Sequence, residues 1–209
     1  AQDSEWGLSM RLDSSYRFPW HMTLGSIKNE QLVYNLGSEI ARQCKMIGVN
    51  INFAPVLDVN FNSENPIIGN RSFGEDPKRV SELGYQFMKG MQDNNVLACG
   101  KHFPGHGDTD EDSHKTLPTI NHSRERLDSV ELYPFRSIIN DIGSIMIAHL
   151  HVPSLDNTKD LAVSLSKNVV TNLLKEQLGY NGLIFTDALN MKGVSSFYDP
   201  GLVDVKAII

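Results

Sequence analysis

Short apolar runs that suit buried strands alternate with amphipathic helical runs along most of this chain. From Asn29 to Ile47 the apolar side chains recur at steps of three and four residues, which predicts a helix, and Val49 to Val56 then predicts a strand. The same order recurs three more times and ends in a strand at Gly182 to Thr186. Strands separated by helices run parallel with right-handed crossovers, so the sequence predicts an α/β fold of barrel or open-sheet type.

A polar segment, KHFPGHGDTDEDSH, runs from Lys101 to His114 directly after the apolar run Val96 to Cys99. Its proline and glycines exclude a continued strand or a helix, so a solvated loop is expected where a buried strand ends. Asp112 and His114 are two residues apart and can meet in a turn. A carboxylate beside a histidine fixes its tautomer and favours the imidazolium, which indicates an orienting group and a proton carrier.

Three other interpretations of this segment stay open. In the first, the acidic loop is simply solvated, as such loops usually are. In the second, His106 only braces the turn. A metal site is the third, because five side chains are competent ligands, although Pro104 excludes the helix on which zinc sites usually carry paired histidines. Those five are His102, His106, Asp108, Asp112 and His114.

The strings KHFPGHG and DSH together resemble the signature of glycoside hydrolase family 3, in its bacterial β-N-acetylglucosaminidase (β-hexosaminidase) branch. The resemblance implies a (β/α)8 TIM-type barrel, present here as an incomplete slice of about five strands and four helices. We therefore expect residues 1–209 to be part of the catalytic barrel domain of a longer chain. The open edges of an incomplete barrel would favour self-association.

The segment GLIFTDALNMKG resembles the family's nucleophile signature and places Asp187 directly after the last predicted strand. The resemblance implies a retaining exo-β-N-acetylglucosaminidase in which Asp187 attacks the anomeric carbon and forms a covalent glycosyl-enzyme. His114 would protonate the departing oxygen and then deprotonate water, while Asp112 holds it in place. Most retaining glycosidases give that second role to a carboxylic acid, so a histidine is a departure.

Other residues match positions that bind the sugar in this family. Asp3 and Arg11 keep the family's spacing of eight residues, and the alternatives are a frayed terminus and a surface charge. Arg71 lies in a loop that resembles the family's second arginine loop, and its planar fork suits two adjacent oxygens. For His149, at a strand exit, a backbone carbonyl would satisfy the ring equally well. The full sugar-binding set is Asp3, Arg11, Arg71, Lys101, His102 and His149.

The composition limits the classes of partner that the protein is expected to bind. The formal net charge is −6 and the Lys and Arg residues are scattered, which argues against nucleic acid. No apolar run is long enough for a membrane span, and Cys44 and Cys99 are predicted to be buried thiols. We expect a carbohydrate substrate, an N-acetylglucosamine-containing glycan or muropeptide, with no cofactor and no metal. The choice between bacterial cytoplasm and periplasm is left open.

Three rival functions stay open on the residues: a sugar-binding module without catalysis, a metal-dependent hydrolase, and a β-glucosidase of the same family. In the last of these the acid is a glutamate from a second domain, which would leave the DSH loop unexplained.

Overall fold

A parallel sheet organises the computed structural model, which describes residues 1–110, 112–113, 116–199 and 201–208. Its strands lie side by side in chain order, and every pair is parallel. They are β1 (Ile51–Asn52), β2 (Leu97–Phe103), β3 (Ser144–Ile147) and β4 (Leu183–Thr186). A parallel bridge joins Gln2 of the N-terminal segment to Asn52 of β1. The carboxyl ends of all these strands therefore share one edge of the sheet.

Two strand boundaries differ from the prediction. The strand predicted from Val49 to Val56 is reduced to β1, and a bridge pairs Val56 with Lys101 further on. Pro55 between them has no N–H to donate, although its carbonyl accepts from the backbone N–H of Lys101 at 3.1 Å. Strand β2 instead continues to Phe103, which pairs with Ile147 of β3. Lys101 therefore lies within a strand and not after its end.

The helices follow the predicted order but are more numerous and shorter. Among the described residues they are α1 (His21–Gly25), α2 (Gln31–Met46), α3 (Pro77–Gln92), α4 (Arg124–Ser129), α5 (Tyr133–Ile138), α6 (Asn168–Gln177), α7 (Lys192–Ser195) and α8 (Leu202–Ala207). Single 3-10 turns cover Leu8–Met10, Gly69–Arg71 and Val163–Leu165, and α6 has the wider π-type hydrogen-bond spacing. In the described part of the chain, no helix combines the length and the apolar character needed to cross a bilayer.

Local sequence explains where the two longest helices begin and how they pack. Asp76 caps α3, because its carboxylate accepts from the backbone N–H of Lys78 at 3.1 Å, and a proline follows at the first helical position. Helices α2 and α3 approach closely at Gly37 and Gly90, where a Cβ on either glycine would meet backbone of the other helix. The two helices therefore pack with their backbones in close contact at these glycines.

The core lies between the sheet and its helices. Phe103 of β2 meets Phe135 of α5 edge to face, with ring centroids 5.3 Å apart, and Phe87 of α3 is fully buried in the same cluster. Cys44 and Cys99 are buried free thiols, as predicted. This packing gives the strand ends a rigid base, on which polar side chains can be held in fixed positions.

Candidate active site

A cavity of about 510 Å³ opens at the carboxyl ends of the strands. Side chains from the N-terminal segment, β2 and the residue after β4 line it together, although they are far apart in the sequence. The lining residues include six of the predicted site residues: Asp3, Arg11, Arg71, Lys101, His102 and Asp187. The parallel topology is what brings them together, since it lifts each strand end to the same edge.

A buried ion-pair cluster forms one side of the cavity, with Lys101 at its centre. The Lys101 ammonium lies 2.7 Å from Glu5 Oε1 and 2.9 Å from Asp3 Oδ1. Arg71 contacts Glu5 with two nitrogens, Nε at 3.0 Å and one terminal nitrogen at 2.7 Å. Arg11 extends the cluster toward the surface, 2.6 Å from Asp3 Oδ2. Cations and carboxylates thus alternate, and each charge is compensated.

Glu5 is the residue of this cluster to which the sequence assigned no role. Burial alone would raise the pKa of Glu5, but the charges of Lys101 and Arg71 outweigh it and hold the pKa well below its usual range. The carboxylate is therefore ionised under the two cations. No sequence signal pointed to this role, because the need for a buried anion follows only from the burial of the two cations in the folded protein.

Asp58 is a second residue that sequence reasoning missed. Its carboxylate is fully buried and accepts from the backbone N–H of His106 at 2.7 Å and of His102 at 3.1 Å. The Nδ1 atom of the His102 ring lies 2.7 Å from the other carboxylate oxygen. The only feature of the sequence that pointed to Asp58 was its position, since it is a carboxylate just beyond a predicted strand.

Asp187 lies directly after β4, and its backbone N–H donates to the carbonyl of Ile147 at 2.9 Å. Its side chain accepts from the N–H of Ala188 at 2.8 Å and lines the cavity. Burial raises the pKa of this carboxyl, but electrostatic attraction to the nearby His102 and His149 rings and the hydrogen bond from the Ala188 N–H together bring it below the usual value. An ionised, partly buried carboxylate is the form that a nucleophile needs.

The DSH motif is only partly described. His114 lies outside the described residues, and the carbonyl of Asp112 accepts from Thr116 N at 3.0 Å. Ser113, between them, is buried and lines the cavity. Its carbonyl accepts from the backbone N–H of Gly193 at 3.2 Å, in the segment that follows Asp187.

His106 braces this loop from inside. Its ring nitrogens lie 2.9 Å from Thr109 Oγ1 and 3.1 Å from Ser113 Oγ, which agrees with the bracing interpretation. Burial lowers the pKa of His106 to about 4, so the ring is neutral at neutral pH.

His149 makes its polar contacts within the protein. The side chain is fully buried, and its ring nitrogens lie 2.7 Å from Ser164 Oγ and 3.1 Å from the carbonyl of Ala188. Both nitrogens are used within the protein because the ring is directed toward the segment after β4. These contacts match the alternative in which a backbone carbonyl satisfies the ring, and the sugar-binding role of His149 stays a prediction.

A cluster of metal-competent side chains lies outside the cavity, where ligand atoms of Asp108, His122 and Glu131 are within 4.8 Å of one another. Arg126 lies among them, 3.4 Å from the Asp108 carboxylate and 3.2 Å from that of Glu131. Its charge already compensates both carboxylates, and His122 Nε2 is 2.7 Å from Asp108. The group is best explained as an ion-pair network that ties the loop after β2 to α4.

Residues 1–208 match the sequence family described as Glycosyl hydrolase family 3 N terminal domain. The chain belongs to glycosyl hydrolase family 3. The resemblance noted in the sequence is thereby confirmed. The fold of this family is a TIM-type α/β barrel, so the predicted fold class is confirmed as well, and the parallel strands form part of such a barrel.

Three relatives illustrate the similarity of this family 3 chain. It is 38% identical to a protein named Beta-hexosaminidase A from Pseudoalteromonas piscicida, over 96% of this chain and 36% of the relative. It is 34% identical to a Beta-hexosaminidase of Methylobacillus flagellatus, over 92% of this chain and 56% of the relative. The structure of a family 3 β-N-acetylglucosaminidase from Paenibacillus sp. str. FPU-7 aligns with TM-score 0.93 and 43% identity, over 98% of this chain and 39% of that one. The chain thus spans between about a third and somewhat over half of these relatives.

Proposed function

We propose that the protein carrying this chain is a retaining exo-β-N-acetylglucosaminidase that hydrolyses terminal β-linked N-acetylhexosamine. The observation that carries the proposal is the position of Asp187, whose carboxylate faces the same cavity as the Lys101 and Arg71 cluster. Its lowered pKa favours the ionised form that attacks carbon. The names of the relatives, β-hexosaminidase and β-N-acetylglucosaminidase, give the substrate class.

The reaction proceeds in two steps. Asp187 attacks the anomeric carbon, the glycosidic C–O bond breaks, and the departing oxygen takes a proton from His114. His114 then takes a proton from water, whose oxygen attacks the same carbon and releases Asp187. The role of His114 rests on the motif, and the place of Ser113 in the cavity lining supports it. The role of Asp112 is to hold the His114 ring and stabilise its charged form.

The cavity suits a neutral sugar with several hydroxyl groups. Lys101 and Arg71 offer N–H donors, Asp3 offers an acceptor, and ion pairs already hold all three side chains in place. Little side-chain conformational entropy is therefore lost when a substrate binds to them. Trp6 and Ile67 add apolar surface to the wall, against which the ring carbons of a sugar can pack.

The binding partner that we propose is a carbohydrate. We also propose that the chain is part of a catalytic barrel domain. Self-association stays a prediction. The feature that favours it is β4, which lies at an edge of the described sheet and exposes about half of the Leu183 side chain (52%).

A trapping experiment on the protein tests the proposal. We expect hydrolysis of 4-nitrophenyl β-N-acetylglucosaminide, slower hydrolysis of the matching β-glucoside, and covalent labelling of Asp187 by a fluorinated N-acetylglucosaminyl substrate. Asp187→Asn should abolish both turnover and labelling, whereas Asp199→Asn, which removes an exposed carboxylate from the same region, should leave them unchanged.

Two outcomes would contradict the proposal. A label found on a residue other than Asp187 would refute the nucleophile. Calorimetric heat of N-acetylglucosamine binding without any turnover would show a sugar-binding protein instead of an enzyme.

A further inference from the structure

Asp58 holds a dense set of hydrogen bonds although it does not line the cavity. Among its donors are the backbone N–H groups of His102 and His106, both within 3.1 Å of Oδ1. The His102 ring approaches Oδ2 through Nδ1 at 2.7 Å. Asp58 is fully buried, and no reaction step assigned above uses it.

The two sides of the His102 ring meet groups of opposite character. The Nδ1 side faces an ionised carboxylate, which only accepts hydrogen bonds. The Nε2 side lies 3.4 Å from a terminal nitrogen of Arg71, and a guanidinium only donates. Both neighbours are satisfied by one tautomer alone, which carries its proton on Nδ1 and a lone pair on Nε2.

We infer that Asp58 is a positioning residue that fixes His102 in the Nδ1–H tautomer, so that Nε2 presents a hydrogen-bond acceptor to a substrate hydroxyl. This inference rests on the proposed function, because it concerns how the same cavity recognises its sugar. His102 and Arg71 both line the cavity, so an acceptor and a donor stand side by side there. A hydroxyl fits such a pair, since its oxygen accepts from Arg71 while its hydrogen is donated to His102.

The Arg71 donor and the His102 acceptor also define which substituents the cavity rejects at the position of this hydroxyl. A fluorine or a methoxy oxygen at that position accepts from Arg71 but gives no hydrogen to Nε2. A site built to bind a hydroxyl discriminates strongly against analogues that lack it, because the buried partner is left unsatisfied.

A purely structural role for Asp58 is the alternative, in which it only satisfies the backbone of the turn after β2. Asp58→Asn separates the two roles. The amide oxygen can keep both backbone N–H contacts, while the amide NH2 then faces Nδ1 and favours the opposite tautomer. That tautomer would direct an Nε2–H at the donor Arg71 and remove the acceptor from the cavity.

The tautomer of His102 can be observed directly in the wild-type protein. With 15N-labelled histidine, NMR distinguishes protonated from unprotonated ring nitrogens, and His102→Gln identifies the His102 signals. We expect a proton on Nδ1 and a bare Nε2 at neutral pH. A proton on Nε2 in the wild-type protein would overturn the inference. If instead the protein hydrolyses no β-N-acetylglucosaminide, the proposed function fails while the tautomer is still decided.

Kinetics supply the second test. Asp58→Asn should lower kcat/KM for the chromogenic N-acetylglucosaminide by about 10- to 100-fold, the effect of one lost hydrogen bond to a buried group. The loss should shrink toward unity on one member of a series of monodeoxy substrates, the one that lacks the recognised hydroxyl. Equal losses on every substrate would show a merely structural role and overturn the inference.

The matched control is Asp156→Asn. Asp156 is also buried and accepts from Ser166 and Asn168, but it lies away from the cavity. The kcat/KM of this variant should stay within about twofold of the wild type on every substrate. Its amide oxygen can keep the contacts of Ser166 and Asn168, and the contact that is lost, with the backbone N–H of Thr158, lies away from the cavity.

Discussion

Replacement of Glu5 by Gln tests whether the cavity wall depends on a buried charge. The Glu5 carboxylate is 1% exposed and is shared between the Lys101 ammonium, itself 2% exposed, and the guanidinium of Arg71. Gln has nearly the same shape and keeps one oxygen acceptor. The substitution therefore removes the negative charge while the space stays filled, and it leaves two cations facing each other.

The expected loss follows from the burial of these groups. Removing one partner of a buried ion pair typically destabilises a protein by about 3–5 kcal/mol, since the remaining charge is uncompensated. Asp3 still contacts Lys101, so we expect the lower end, about 3 kcal/mol of unfolding free energy. For a domain of this size that is roughly 6–12 °C in Tm.

Urea unfolding of wild type and variant measures this loss, and Glu39→Gln is the matched control. Glu39 pairs with Arg42 on the surface of α2, where the two side chains are 37% and 60% exposed, so its replacement should cost at most about 0.5 kcal/mol. Equal losses for Glu5→Gln and Glu39→Gln would refute the argument.

The pH dependence of unfolding at acid pH measures the stabilising contribution of the Glu5 charge in a second way. The pKa of Glu5 in the folded protein lies below its ordinary value of 4.5, so its stabilising contribution is complete above pH 4.5 and is lost as the pH falls further. The variant lacks this contribution at every pH. The difference in stability between the two proteins should therefore narrow below pH 4.5.

Three further predictions concern the loop after β2 and the helix before it. Gly107→Ala should lower stability by about 1–3 kcal/mol in urea unfolding, because a Cβ there would meet the carbonyl of Val59; an unchanged midpoint would be inconsistent with this contact. For His106, whose pKa is about 4 in the folded protein against 6.5, the unfolded chain binds more protons between these values, so stability falls as pH decreases. His106→Gln should remove about 2 kcal/mol of the decline between pH 7 and 5, and an identical pH profile would contradict it. Asp76→Ala should cost about 1 kcal/mol through loss of the α3 cap, as measured by thermal unfolding, with no change in KM.

The sequence predicts well those features that depend on local pattern. The stripes of α2 and α3 repeat at helical spacing over many residues, and each strand is a short apolar run bounded by turn residues. Because parallel strands share one edge, the meeting of Asp3, Lys101 and Asp187 follows from topology without any side-chain detail.

Three features depend on contacts that pattern does not encode. Glu5 and Asp58 became recognisable only once the buried cation and the histidine turn that need them were in place. For His149 the sequence left two roles open, because the direction of a strand-exit side chain depends on its packing, here against Ser164 and Ala188. The length of β1 was overestimated because an apolar, β-branched run does not show where regular pairing with the neighbouring strand stops.

The hydrogen bond from Gly193 to the carbonyl of Ser113 has a consequence for engineering. It fastens the stretch that carries the proposed nucleophile to the stretch that carries the proposed proton donor, and a side chain at position 193 would press on the carbonyls of Ser113 and Thr116. The two stretches therefore form a single interchangeable unit. Anyone who transplants the loop after β2 onto another barrel must carry the start of α7 along with it.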